Sequence, residues 1–361
     1  AKSSAYTVLA GDEGTCLLCT GTWPLSLPAA PTLGNRFTFG VVNVGNGVIT
    51  IDPNGSETID LQPTLDLGAG DSVVPLCDGS AFLTLALRRA TIPTDNPIIN
   101  SSLEIWQRGT SFAAIATGTY TADRWKWIQS GAGVVTIGRQ TNVPTVAQAG
   151  VLYPYSLDVD VTTADAALAA GDLYVVRQVI EGSNWRYFAQ RPVTLSFWVR
   201  DTITGTHHVA LQNSGQDRSY VGTYTVNAAD TWEYKTILVP ASPSAGTWDY
   251  GTGAGLILNF TLAAGSTYQT TADAWQTGAF YGTASTVNSL SATTNFFRIT
   301  GIKLDLGSIA SPLPFRPFHE ELVLCQRYFQ KSFELATAPA QNVGNLTGES
   351  SWSQTVGASA G

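Results

Sequence analysis

Acidic side chains are the most numerous groups in this chain that could do chemistry. Of its 361 residues, 27 are aspartate or glutamate and three are histidine. Glycoside hydrolysis uses two carboxylates about 5 to 9.5 Å apart, and a chain with so many acids always offers candidate pairs. The sequence has no GxSxG, HExxH, P-loop or dinucleotide-binding motif. We therefore predict no catalytic residues, no cofactor and no enzymatic activity.

Cysteine and histidine are the next candidates, as metal or redox ligands. Cys16 and Cys19 have CxxC spacing, but no second CxxC follows and the histidines lie far away in the sequence. Positions three apart face opposite sides of a strand, so we interpret these residues as buried thiols. Cys325 is expected in the core, on a helix. His207 and His208 follow a glycine in a hairpin-like loop, where neighbouring side chains point in opposite directions.

Two pairs of acids could bind calcium through oxygen ligands. Asp158 and Asp160 share one face of a predicted strand, and Glu104 and Asp305 become neighbours if the first and last strands pair. The alternative is that all four are solvated carboxylates. We predict no metal site.

Aromatic side chains are the most distinctive group, with ten tryptophans and 13 tyrosines. A flat apolar ring with a polar edge suits both sugar stacking and subunit interfaces. Five tryptophans lie in predicted strands and are expected in the core: Trp106, Trp125, Trp127, Trp198 and Trp232. Other aromatics lie in the Gly/Ser/Thr-rich stretch 240–295, where long loops are expected. The candidate glycan-binding residues are Trp248, Tyr250, Tyr268, Trp275 and Tyr281, with Phe280 beside them; the alternative is that these rings anchor the loops.

These residues are distributed over an all-β chain. Residues 1–87 contain short apolar runs separated by turns such as Asn46-Gly47 and 52–55, which predicts about six strands. A unit this small has little core, so we predict that it trimerises and buries apolar faces against its own copies. Residues 88–97 have two arginines, two prolines and no periodicity, which predicts a linker.

Residues 98–318 are predicted to form a jelly-roll β-sandwich, with strands from 103–107 to 296–306. Alternation in 193–200 places Val193 and Phe197 on one face and Trp198 on the other. In 296–306 the alternation changes phase at Thr300-Gly301, which indicates a bulge. Residues 308–318 hold three prolines and are expected to form an extended strap. A short helix is predicted over 319–333, and 334–361 is a tail that either starts a further domain or is ordered by partners.

Composition excludes several classes of partner. Charged residues make up 13% of the chain and the net charge is -8, so no nucleic acid is expected. No run approaches the ~20 apolar residues that span a bilayer, so no membrane insertion is expected.

Several segments together carry a resemblance. The run 299–332 resembles the closing segment of a jelly-roll module common in tail fibres and other virion proteins of tailed bacteriophages. The segments NPIINSSLEIWQRGTSF, YTADRWKW, VTLSFWVR and SYVGTYTVNAADTWEYKTI resemble the same module in the same order, and residues 27–60 are similar to β modules of trimeric phage fibres.

This resemblance implies a virion protein with a sandwich like those of carbohydrate-binding modules. The expected function is tail-fibre or baseplate adhesion to host surface polysaccharide, as a homotrimer among other virion proteins. A purely structural head-fibre or capsid decoration protein is the first alternative, and a glycan hydrolase is the second.

Overall fold

The computed structural model describes residues 1–45, 47–88, 96–331, 333–335 and 337–339. It confirms the predicted class: an N-terminal β unit precedes a β-sandwich, and a short helix follows. No helix in this part of the chain is long and apolar enough to cross a membrane.

The N-terminal unit has eight strands, two more than predicted, in two four-stranded sheets ordered β1-β3-β5-β6 and β2-β4-β7-β8. Its elements are β1 (Tyr6–Thr7), β2 (Cys16–Cys19), β3 (Trp23–Ser26), α1 (Ala30–Leu33), β4 (Gly40–Asn43), β5 (Ile49–Asp52), β6 (Leu65–Leu67), β7 (Ser72–Cys77) and β8 (Phe82–Arg88).

The strands on either side of the predicted turn at Asn46-Gly47, of which Asn46 lies outside the described residues, do not form a hairpin. The two strands lie in different sheets, where β4 pairs in parallel with β2, and β5 with β3. The Asn43 amide explains the crossover, because it donates to the carbonyls of Gly47 at 2.7 Å and Leu67 at 2.9 Å. The apolar run 58–61 after the turn at 52–55 forms no strand, and β5 pairs with β6.

The N-terminal unit also buries more than its size suggested. Its two sheets enclose a core that includes Phe37, Phe39, Ile49 and Ile51, each at most 3% exposed. The premise that the unit lacks a core of its own is therefore wrong. Part of its exposed apolar surface belongs to the sheet β2-β4-β7-β8, with Leu18 of β2 and the leucines 83, 85 and 87 of the edge strand β8.

The sandwich consists of two six-stranded sheets, ordered β10-β13-β18-β15-β16-β19 (sheet I) and β17-β14-β20-β12-β11-β9 (sheet II). Its strands are β9 (Ser111–Phe112), β10 (Trp125–Ser130), β11 (Val134–Gln140), β12 (Ser156–Thr163), β13 (Leu173–Glu181), β14 (Val193–Asp201), β15 (Gly205–Gln212), β16 (Arg218–Val226), β17 (Glu233–Val239), β18 (Ala254–Ala264), β19 (Trp275–Thr277) and β20 (Phe296–Leu306). Helices α2 (Val146–Ala149) and α3 (Gly182–Trp185) lie between strands, and α4 (Phe318–Gln326) follows them.

The core lies between sheets I and II. Val193, Leu195, Phe197 and Val199 of β14 enter it, as their alternation predicted. All five tryptophans expected in the core are buried, between 0% and 8% exposed. Trp198 lies on the opposite face of β14, where Tyr153 and Trp232 complete a smaller apolar cluster.

The predicted bulge in β20 is confirmed. Pairing with β14 shifts between Thr300 and Lys303, and Gly301 has a φ of +62°. The extra residue lets Phe297 and Ile299 before it, and Ile302 and Leu304 after it, enter the core on both sides of the phase change. Only glycine fits there, because an added Cβ would lie 2.7 Å from the Tyr153 ring.

Other predictions near the ends of the sandwich had mixed outcomes. The strap has no helix or strand up to Pro317, and its Leu313 packs against the Trp198 cluster. The strand expected at 103–107 does not form. The helix predicted over 319–333 ends at Gln326, because Arg327 and Tyr328 turn to bond the Glu181 carboxylate of β13 at 2.6 and 2.5 Å. Most of the predicted linker (89–95), residue 332 of the predicted helix, and most of the tail (336 and 340–361) lie outside the described residues.

The cysteines differ in burial, and strand geometry explains the difference between Cys16 and Cys19. Cys19 and Cys325 are buried, as expected, whereas Cys16 is exposed on the outer face of β2, so its assignment as a buried thiol is wrong. Neighbouring residues in β2 alternate between the core and solvent, and the two thiols are three positions apart.

Candidate functional site

The structure brings two of the predicted glycan-binding aromatics together at an edge of the sandwich. The rings of Trp248 and Trp275 meet edge to face, with centroids 5.8 Å apart. Trp248 also stacks on Trp185 of α3, and both predicted residues are partly buried against the main core. Their indole N–H groups donate to the carbonyls of Ala245 and Pro240 at 3.0 Å. Most of their ring surface is therefore used in packing.

A second pair, Tyr268 and Tyr281, lies on the outer face of sheet I. Their rings meet edge to face at 5.5 Å. Tyr281 is only 4% exposed; its hydroxyl accepts a hydrogen bond from Arg177 at 3.0 Å and donates one to Gln216 at 3.2 Å. The phenol of Tyr281 is thus enclosed in this arrangement, and Phe280 packs into the same cluster.

Tyr250 is the most exposed of the five candidates, at 38%. Its loop lies against the start of α3, where Gly251 and Gly253 carbonyls accept from the amides of Ser183 at 2.6 Å and Gly182 at 2.8 Å. Gly182 permits this approach, because an added Cβ would lie 2.4 Å from the Asp249 carbonyl oxygen.

A cleft of about 580 Å³ lies between the α3 turn and α4. Tyr187 lines it and is 58% exposed. The other lining residues combine apolar and polar side chains: Asn96, Pro97, Ile99, Asn184, Phe188, Arg316, His319, Glu320, Val323 and Leu324. Sequence reasoning missed this site, since Tyr187 lies outside the loop-rich stretch; the signal available was the aromatic run WRYF, which begins four residues after the end of β13.

Buried contacts hold the polar side of the cleft in place. Arg316 donates to Glu321 at 2.6 Å and to the carbonyl oxygen of Asn96 at 3.0 Å. Glu321 also accepts from the amide of Asn100. His319 and Glu320 belong to the first turn of α4, next to Glu321, so the same contacts also fix the position of their backbone. A rigid aromatic ring beside amide, guanidinium, imidazole and carboxylate groups is an arrangement that can stack on a sugar and bind its hydroxyls.

The histidines predicted in a loop lie instead inside β15, and both are fully buried. Their side chains point in opposite directions, as expected. His207 stacks on Tyr224, and its Nδ1 lies 3.7 Å from Asp201, whereas His208 lies 3.2 and 3.0 Å from the hydroxyls of Thr283 and Thr286. Burial lowers the pKa of each histidine to about 4 and raises the pKa of Asp201 to about 7.

Two of the acids considered as calcium ligands form ion pairs instead. Asp158 bonds Arg298 at 2.7 Å; burial raises the pKa of this carboxyl to about 6 even though Arg298 opposes the shift. Asp305 pairs with Lys303 at 2.7 Å, and burial together with Glu321 raises the pKa of Glu104. Within the described ranges, no three His, Cys, Asp or Glu side chains are grouped to hold a metal.

No family model matches the sequence, and a search of curated proteins found no match. Among solved structures, the chain is similar to the enzymatically active domain of tailspike protein 4 from bacteriophage CBA120, at 13% identity and a TM-score of 0.33, covering 80% of this chain and 31% of that one. It is also similar to a family 11 carbohydrate-binding module from Clostridium thermocellum in complex with a β-1,3-1,4-mixed-linked tetrasaccharide. That match has 10% identity and a TM-score of 0.27, and covers 56% and 99% of the two chains.

A third similar structure is the carbohydrate-binding module TmCBM61 in complex with β-1,4-galactotriose, at 9% identity and a TM-score of 0.29, covering 59% and 99% of the two chains. All three TM-scores are below 0.5, so neither a ligand nor an activity of this chain follows from them.

Proposed function

We propose that this protein is a non-catalytic virion component of a tailed phage, a tail-fibre or baseplate part that adheres to host surface polysaccharide. The observation that carries the proposal is the cleft between α3 and α4, where the exposed ring of Tyr187 lies among polar side chains. Loops and helix ends on a rigid sandwich are suited to recognition, because the scaffold holds them without ordering cost on binding. The resemblance of 96–332 to phage virion modules supports the placement in the particle.

The exposed outer face of the sheet β2-β4-β7-β8 supports the homotrimer. Leu85 and Leu87 are 60% and 41% exposed on β8, the edge strand of that sheet. A long apolar edge strand is an aggregation site unless another chain or element covers it. Three copies packed through this face would remove the edge and bury the leucines.

The structural alternative, a head-fibre or capsid decoration protein, is favoured by one observation. Four of the five predicted aromatics pack against the protein itself, so only Tyr250 and the newly found Tyr187 offer large exposed rings in these loops. The hydrolase alternative has weaker support, since Glu320 is the one carboxylate among the described residues lining the cleft and glycosidases use two.

One experiment separates these three functions. The purified chain is incubated with capsular polysaccharide and lipopolysaccharide from the host, and both bound protein and new reducing ends are measured. Binding without new reducing ends supports adhesion. New reducing ends that a Glu320→Gln variant fails to produce would establish the hydrolase, and a correctly folded chain that binds no host polysaccharide would leave the structural role.

A further inference from the structure

The outer face of sheet I carries three cations close together. Trp125 and Trp127 of β10 point into the core, so Lys126 between them lies on the outer face. Arg177 of β13 is its direct cross-strand partner. Arg124 lies two residues before Lys126, and its guanidinium covers the Tyr328 ring at 3.4 Å. Like charges placed directly opposite each other on a sheet are destabilising.

No carboxylate of the described residues neutralises these cations within 4 Å. Arg177 donates to the neutral oxygens of Asn259 at 2.6 Å and Tyr281 at 3.0 Å. Arg124 donates to the carbonyl of Val179. Two acids beside these residues in sequence are already paired, since Glu181 bonds Arg327 and Tyr328, and Asp123 bonds Arg108 at 3.3 Å.

The unused donors are held in place. Arg124 is 7% exposed, and its Nε is buried without a hydrogen-bond partner. Arg177 is 8% exposed, and none of its bonds uses Nη1. Lys126 is half-buried, and its ammonium lies 5.6 Å from the Tyr120 ring, its only contact of this kind in the part of the chain described. Burial, followed by repulsion from Arg177 and Arg124, lowers the pKa of Lys126.

A small cavity opens beside this surface. Its volume is about 130 Å³, and Arg124, Tyr120 and Tyr328 line it together with the Arg108–Asp123 pair. One water occupies about 30 Å³ of liquid, so the cavity has room for a carboxylate-sized group with water. Of the three cations, Arg124 is the one that lines this cavity; Arg108, the second guanidinium there, is paired with Asp123. A guanidinium suits an oxyanion, because it can offer paired N–H donors.

We propose that Lys126, Arg177 and Arg124 form a subsite for the anionic group of an acidic saccharide. This inference rests on the proposed adhesion and names its substrate class: a polysaccharide carrying uronate carboxylates or sugar phosphates. The anion relieves the repulsion between Lys126 and Arg177 and takes the donors that the protein leaves unused. The wall of Tyr120 and Tyr328 contributes apolar ring surface for the sugar.

The decisive variant is Lys126→Gln, because this side chain has no hydrogen-bond partner to lose among the described residues. Affinity is measured for glucuronate oligosaccharides, a sugar phosphate, the matched neutral oligosaccharide and inorganic phosphate. We expect the wild type to prefer one of the acidic saccharides over both the neutral sugar and inorganic phosphate, and we expect the variant to lose about tenfold of that affinity. The melting temperature of the variant should rise by about 1 to 3 °C as the repulsion is removed.

Each other outcome counts against the subsite. Equal binding of acidic and neutral saccharides, or an unchanged preference in Lys126→Gln, overturns it. Inorganic phosphate that binds as tightly as the acidic saccharides would reduce it to an ion site. The adhesion assay with native host polysaccharide is interpreted separately. Binding that does not depend on the charge of the saccharide would contradict this subsite and leave the proposed function intact. Absence of binding would contradict the proposed function itself.

Discussion

The indole rings of Trp185 and Trp248 stack with their centroids 6.0 Å apart and their planes at 19°. Trp248 was predicted to contact a ligand, yet this stacking makes it a link between the 245–253 loop and helix α3. The ring of Trp275 also contacts Trp248, edge to face, with the two centroids 5.8 Å apart. Removal of the Trp248 ring should therefore disturb packing as well as any binding.

We predict that Trp248→Ala lowers the free energy of unfolding by about 1 to 3 kcal/mol, less than a fully buried tryptophan would cost, because the ring is partly exposed. The matched control is Tyr250→Ala in the same loop, which should change stability by no more than about 0.5 kcal/mol. Urea unfolding of both variants provides the comparison. Equal stabilities for the two variants would show that Trp248 is not a packing residue.

Gly301→Ala tests the bulge in β20. The substitution adds a Cβ that overlaps the Tyr153 ring and places alanine at a φ of +62°, so it should cost about 2 to 4 kcal/mol. Gly150→Ala is the control: its φ is +72°, but nothing lies within 4 Å of the added atom, and about 1 kcal/mol is expected. Thermal or urea unfolding that finds the two variants equal would remove the role given to the Tyr153 contact.

The buried His208 predicts a pH dependence. Its pKa falls to about 4 on folding, so between pH 6.5 and 4 the unfolded chain binds a proton that the folded chain does not, and stability falls as the pH falls. Asp201 and Asp158 act in the opposite direction, because their raised pKa values make the folded chain hold extra protons. In His208→Gln the loss of stability between pH 6.5 and 4 should be about 2 kcal/mol smaller than in the wild type. A parallel pH dependence for both proteins would contradict the assignment.

The homotrimer predicts a mass of three chains by light scattering at micromolar concentration. Leu85→Glu places a charge on the exposed β8 edge and should yield folded monomers. Leu9→Glu is the control, since Leu9 is 58% exposed after β1 of the other sheet and its substitution should leave the trimer intact. A wild-type chain that is a stable monomer would end both the trimer and the fibre interpretation.

Local periodicity was sufficient for the sandwich and insufficient for the N-terminal unit. In β14 and β20, alternating apolar residues identified the core face and the phase change at Gly301, because each side chain contacts a continuous core. The turn near Gly47 has the sequence of a hairpin turn, but β4 pairs with β2 and β5 pairs with β3 in separate sheets, and Asn43 bonds the distant Leu67 carbonyl. Parallel pairing of this kind leaves no local signal.

The candidate site was harder to predict for a similar reason. Exposure of an aromatic ring depends on what packs against it, and Trp248, Trp275 and Tyr281 found partners far away in the sequence. Tyr187 has its cleft only because α4 returns to the α3 turn after more than a hundred residues. No pattern around Tyr187 alone carries that information.

The most direct test of adhesion is the equilibrium affinity of Tyr187→Ala for purified host polysaccharide. Loss of the stacking ring should weaken binding about 5- to 30-fold while the unfolding free energy stays within about 0.5 kcal/mol of the wild type. Tyr234→Ala, which removes a tyrosine 44% exposed on sheet II, is the control and should bind as the wild type does. Unchanged affinity in Tyr187→Ala, with the fold intact, would contradict a glycan-binding cleft at this position.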